Sequence, residues 1–163
     1  MLENKKLEKR IRNLVDYYSR MLGLNNYKID ILFDGYENLE CNYAEVFKQP
    51  DHREATIKFN LEKLTKESEE VDKTVIHELF HIILWPIRHR YINISENYIT
   101  DVNSRDFIKD EYLDDEHEFI FSMEDVISKY AKGDKDSEKM GRRKSRRKSN
   151  SSKKDIQKTR GKK

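Results

Sequence analysis

The sequence predicts an α+β domain: a small, mostly antiparallel three-stranded sheet, with an N-terminal helix, a second helix bearing two histidines, and a C-terminal helix. Three observations carry this. Apolar residues recur at helical spacing from Leu7 to Leu22. They alternate with a period of two around Ile29–Phe33 and Ala55–Phe59. The helical period then returns after Ser68.

The first helix spans roughly residues 3 to 22. Leu7, Ile11, Leu14, Val15, Tyr18, Met21 and Leu22 form its core stripe, and Gly23 stands where a C-terminal cap is expected. Tyr27, Ile29, Ile31 and Phe33 alternate with Lys28, Asp30 and Asp34 as a first strand. A second strand is expected from Glu40 to Phe47, and a turn at Gln49-Pro50-Asp51-His52. Ala55, Ile57 and Phe59 form the third strand. Cys41, the only cysteine, is read as a small packed residue of the strand region, and no disulfide is possible within the chain.

The next helix holds the chemistry. It is expected to begin with Ser68 as N-cap and acids in its first turn, and to stop near Leu84, because Pro86 disfavours helical geometry at Trp85. Val75, Ile76, Leu79, Ile82 and Ile83 form its core face. His77-Glu78-Leu79-Phe80-His81 is an HExxH pattern. A spacing of four turns a side chain by only about 40°, so both imidazoles face one way, off the core stripe. This is the arrangement in which two histidines share a Zn²⁺ while the adjacent carboxylate, Glu78, serves as general base.

A catalytic zinc takes a third protein ligand. His89 lies just past the proline, and His52 falls in the predicted turn. The stronger candidate is Glu116, in a helix from Asp114 to Tyr130, where it shares the face of Phe119, Ile120, Met123, Ile127 and Tyr130 while Glu118 points away. An acid on a core-facing stripe is costly unless paired or bound to metal. The stretch from Ile87 to Asp114 mixes charge with scattered Tyr and Ile, and reads as a flap over the site. Tyr91, Tyr98, Tyr112 or His89 would supply an oxyanion donor.

Charge divides the chain. Of 163 residues, those from Lys139 onward carry 13 Lys and Arg and one acid, a charge of +12, so the rest carries −10 and the total is +2. The composition changes near Lys132, which sets a domain at 1–132 and a basic tail at 133–163 with too few apolar residues to offset its ordering entropy. The tail, from 141 to 163 above all, would give nonspecific nucleic-acid affinity through phosphate contacts, with no aromatic residues for base stacking. The longest apolar run is too short for a bilayer and the N-terminus lacks a signal-peptide pattern, so the expected location is cytoplasmic with no membrane partner.

The order of these elements, with R-E-A-T-I-K-F-N, then V-I-H-E-L-F-H-I-I-L-W-P, then E-H-E-F-I, resembles minimal zincin-like metallopeptidases, especially short HExxH proteins of phages and mobile elements. The resemblance covers the first 130 or so residues, and only the HExxH helix is specific. It implies a zinc held by His77, His81 and a downstream acid, with Glu78 activating water for hydrolysis of a protein or peptide. It also implies that the strand Arg53–Phe59 would pair with an extended substrate. A likeness to SprT-like peptidases, which act on protein bound to DNA, would suit the tail, but the downstream ligand looks acidic and no zinc ribbon follows. The alternative is a catalytically silent, metal-stabilised regulatory or binding module.

Overall fold

The computed structural model describes the backbone of residues 2–34, 42–48 and 53–160, and the side chains of 4–33, 42–47 and 53–131. The turn expected at 49–52 (apart from its flanks), with His52, and the early part of the second strand, with Cys41, lie outside the described residues. The elements run α1 (Leu2–Met21), β1 (Lys28–Asp34), β2 (Ala44–Lys48), β3 (Glu54–Asn60), α2 (Leu61–Lys66), α3 (Val71–Tyr98) and α4 (Val102–Arg160). Two compact units result, Met1–Asp125 and Val126–Lys163, divided within α4. The second holds the remainder of that helix; the first holds the sheet and everything that follows here. The α+β class is as the sequence predicts.

α1 buries Leu7, Ile11, Leu14, Val15 and Tyr18, the stripe its spacing predicts. It ends where Gly23 takes φ +75. The Leu24 N–H then donates to the Ser19 carbonyl and the Gly23 N–H to that of Arg20, so the last turn is closed by a glycine in the left-handed region. The Tyr18 hydroxyl donates to Asp72 Oδ1 and Arg10 pairs with Asp72 Oδ2 at 2.6 Å, which ties α1 to the first turn of α3. Burial, with the Asp72 carboxylate behind it, pushes the Tyr18 hydroxyl pKa well above its ordinary value, so it stays a donor.

The sheet is mixed rather than mostly antiparallel. Its order is β1-β3-β2, with β1 parallel and β2 antiparallel to β3. Ile57, at the centre of β3, stands between Ile31 on one side and Val46 on the other. Alternation identifies strands and their faces but not their neighbours, and β3 takes the central place because Ala55, Ile57 and Phe59 are the most deeply buried strand residues. One expectation falls with this. The segment Arg53–Phe59 cannot pair with a substrate strand, because β3 is already bonded on both sides. Among the described residues the edge nearest the histidine helix is β2.

Between β3 and α3 lies α2, which the sequence reading passed over. Asn60 is fully buried and caps it, its Oδ1 accepting from the Lys63 N–H at 3.0 Å. α3 therefore starts at Val71 with Glu70 at its N-cap and no side-chain cap; Ser68 instead offers its carbonyl to Arg10. Val71, Val75, Ile76, Leu79, Phe80 and Ile82 are buried, and Ile83 is half-buried.

α3 does not stop near Leu84. Pro86 sits inside it, exposed, and the helix runs on to Tyr98. The proline deprives the Ile82 carbonyl of its usual partner, but the next turns gain packing from α4: the Tyr91 and Tyr112 rings lie 4.9 Å apart, and Glu96 pairs with Lys109 at 3.0 Å. The stretch from Ile87 to Asp114 is thus helical on both sides of a short link, Ile99–Asp101, and forms a hairpin rather than a loose flap. α4 is entered through Asp101, whose Oδ2 accepts from the Ser104 N–H. No helix among the described residues is long and apolar enough to cross a membrane.

Candidate metal centre

Because the α3–α4 link is short, the two helices return antiparallel, and α4 lays a row of residues against the histidines. The buried positions on that row are Glu116, Ile120 and Glu124, four residues apart and so on one face. Glu118 is exposed. Phe119, expected on the inner face, is 47% exposed and meets Phe80 edge-on.

The two buried acids meet the two HExxH rings. Glu124 Oε1 is 2.6 Å from His77 Nδ1, and Glu116 Oε1 is 2.6 Å from His81 Nδ1. A carboxylate accepts, so each Nδ1 donates and each ring is the tautomer with a bare Nε2. Those two Nε2 atoms face one another at 3.2 Å. A third ring joins them. His117, next to Glu116 on α4, donates its Nδ1–H to the Leu113 carbonyl at 2.8 Å, which leaves its Nε2 bare as well. It stacks on His77 with ring centroids 5.5 Å apart and stands edge-on to His81 at 5.2 Å. One ligand nitrogen from each of His77, His81 and His117 falls within 4.8 Å of the others, and all three residues are half-buried.

This donor set could hold a metal ion. Bare imidazole nitrogens at 3.2 Å repel through their lone pairs unless a proton or a metal cation lies between them. A tetrahedral Zn²⁺ with Zn–N of about 2.0–2.1 Å would set its donors roughly 3.3 Å apart. Carboxylates and a backbone carbonyl on the outer nitrogens are the partners that hold ligand rings in place. Burial keeps the His81 pKa below its ordinary value, against the pull of Glu116, so the ring stays neutral and able to ligate.

Glu78 lies on α3 and lines the same groove as these rings and β2. It is buried and no described residue donates a hydrogen bond to it. Burial raises its pKa to about 7; the charges of Glu45 and Glu124 push the same way, and His77 opposes them. A cation on the neighbouring rings would draw the group back down and keep it ionised.

The group opens onto a groove of about 570 Å³. One wall is β2 and the residues leading into it, Asn42 to Val46. The other carries His77, Glu78, His81 and Arg88 from α3, and His117 and Phe121 from α4. The remaining sequence candidates stand apart. His89 Nε2 takes up Asn93 and its ring stacks on Trp85. Tyr91 packs on Tyr112, and Tyr98 is 82% exposed. Tyr112 is half-buried, with its pKa raised to about 12 by burial and by the charge of Glu116. None of these four lines the groove.

Sequence reasoning passed over His117, Glu124 and Arg88. His117 sits inside the E-H-E-F-I stretch, and the spacing of four from Glu116 through Ile120 to Glu124 matches the spacing of the histidines opposite. The signal for both was therefore present, but only the antiparallel return of α4 gives it meaning. No family model matches this chain, and neither do any curated protein or solved structure at a significant level, so the geometry alone carries the functional argument.

Proposed function

We propose that the chain is a zinc-dependent peptidase, with His77, His81 and His117 as metal ligands and Glu78 as general base. The observation that supports this best is the convergence of three imidazoles, each with its outer nitrogen already bonded, beside a buried carboxylate in a groove walled by a strand edge. An all-imidazole set without sulfur suits zinc, and three protein ligands leave a position open. In this reading Glu116 orients His81 and Glu124 orients His77, and His117 takes the third place that the sequence assigned to Glu116.

Bound there, Zn²⁺ would supply an acidified water and a polarised carbonyl. The protein's own groups would do the rest. The edge of β2, unpaired among the described residues, would align an extended peptide through main-chain hydrogen bonds. Glu78, kept ionised by the neighbouring cation, would take a proton from the attacking water and return it to the leaving amine. Phe121, 59% exposed and lining the groove, would offer an apolar contact to a substrate side chain.

Metal analysis combined with a peptide-library assay tests this. Wild type should bind one zinc per chain, and alanine at His77, His81 or His117 should abolish stoichiometric binding. Glu78→Gln should keep the zinc and lose cleavage by roughly a hundredfold or more. Zinc retained in all three histidine variants would refute the site. Zinc bound by a wild type that cleaves nothing would favour the silent metal-stabilised module.

A further inference from the structure

The passage of α3 through Pro86 has a functional consequence at Arg88. Seven residues beyond His81, two turns on, Arg88 points within about 20° of the same direction, some 10 Å along the axis. Helical side chains lean toward the N-terminus, so a long arginine there is thrown back toward the histidines. Arg88 duly lines the groove with them. Had the helix ended at Leu84, nothing would have fixed this alignment.

Arg88 has a place in the groove but, among the described residues, no ion pair. It is half-buried, with its guanidinium carbon 5.8 Å from the centre of the Trp85 ring. The ion pairs of α3 engage Asp72, Lys73, His77, His81 and Glu96, and Arg88 is in none of them. The nearby Glu116 is taken up by His81 and the Tyr112 hydroxyl, and no ion pair joins it to Arg88 among the described residues. The acids that line the same groove, Glu45, Glu70, Glu78 and Glu124, form no ion pair with Arg88 among the described residues, and a half-desolvated guanidinium so placed is suited to an anion that arrives with a ligand.

We propose that Arg88 binds an anionic oxygen of the substrate. Its planar fork would take either the oxyanion that develops at the scissile carbonyl or a free carboxylate at the peptide's C-terminus; both present the same oxygen chemistry to the guanidinium. This rests on the peptidase reading of the groove.

The test uses the full-length, zinc-loaded protein and two variants, Arg88→Met and Arg88→Lys, with zinc stoichiometry checked in each. In a Glu78→Gln background, which prevents turnover, calorimetry compares a tripeptide bearing a free carboxylate with its C-terminal amide. If the carboxylate is the target, the unsubstituted groove prefers the acid by about tenfold or more, Arg88→Met erases the preference, and Arg88→Lys keeps part of it. If the oxyanion is the target, Arg88→Met lowers kcat on a long peptide by about a hundredfold with KM nearly unchanged, and lysine restores part of the rate. Unchanged binding and unchanged kinetics in Arg88→Met overturn the proposal. So does a loss of zinc from that variant, which would mean that the guanidinium serves Glu116 and the architecture of the site. A wild type that holds zinc but cleaves nothing defeats the peptidase reading alone, and the tripeptide pair then decides Arg88, with binding of neither tripeptide counting against it.

Discussion

The carboxylates of Glu116 and Glu124 reach the outer nitrogens of His81 and His77, so their removal should act on a metal through the rings and not by deleting a ligand. Glu116→Ala should weaken zinc binding by about 10–100-fold, the usual range for such supporting partners. Glu116→Gln should weaken it less, because an amide oxygen can still accept from Nδ1–H. Glu118→Ala should be silent, since that side chain is exposed. Competition against a chelator of known affinity measures all three. If Glu116→Ala removes zinc as completely as His81→Ala while His117→Ala does not, the acid is the ligand after all.

At the scale of the element, α3 is a helix that keeps going against its own sequence. Pro86→Ala would return an N–H to the Ile82 carbonyl and remove the ring's clash with the preceding turn. Against that stands the extra freedom alanine gives the unfolded chain, about 0.4–1 kcal/mol. The net expectation is a stabilisation of roughly 1–2 kcal/mol in urea denaturation. Destabilisation would show that the packing of Tyr91 and Glu96 on α4 depends on the proline's geometry. On the face opposite the histidines, Leu79 is fully buried. Leu79→Ala should cost about 2–5 kcal/mol by leaving a cavity under the histidine helix. A cost below 1 kcal/mol would mean that the helix is not held by this face.

At the scale of the whole molecule, the division of charge is the dominant feature: −10 before Lys139 and +12 from there on. We propose that residues 141–163 bind nucleic acid through phosphate contacts alone. Deleting them should weaken binding to DNA or RNA of any sequence and flatten its salt dependence, with zinc stoichiometry unchanged because every candidate ligand lies in the unit Met1–Asp125. Titrations at several salt concentrations check this, and binding that survives the truncation would assign the contact to the folded unit.

Much of this was written in local pattern. The stripe of α1, its glycine stop, the faces of β1 and β3, and the shared direction of His77 and His81 follow from periods of 3.6 and 2, which depend only on near neighbours in the chain. The helix phase that turns Glu116 inward and Glu118 outward is of the same kind. Tertiary structure decided the rest. Which strand lies in the middle depends on burial summed over partners distant in sequence, so β3 became central and β2 the edge. Contacts with α4 outweighed the local cost of Pro86, and so carried Arg88 to the groove. The antiparallel return of α4 decided what meets the histidine rings. Glu116, central on its face, reaches an outer nitrogen, and His117, about 100° around the helix, brings its free nitrogen to the group.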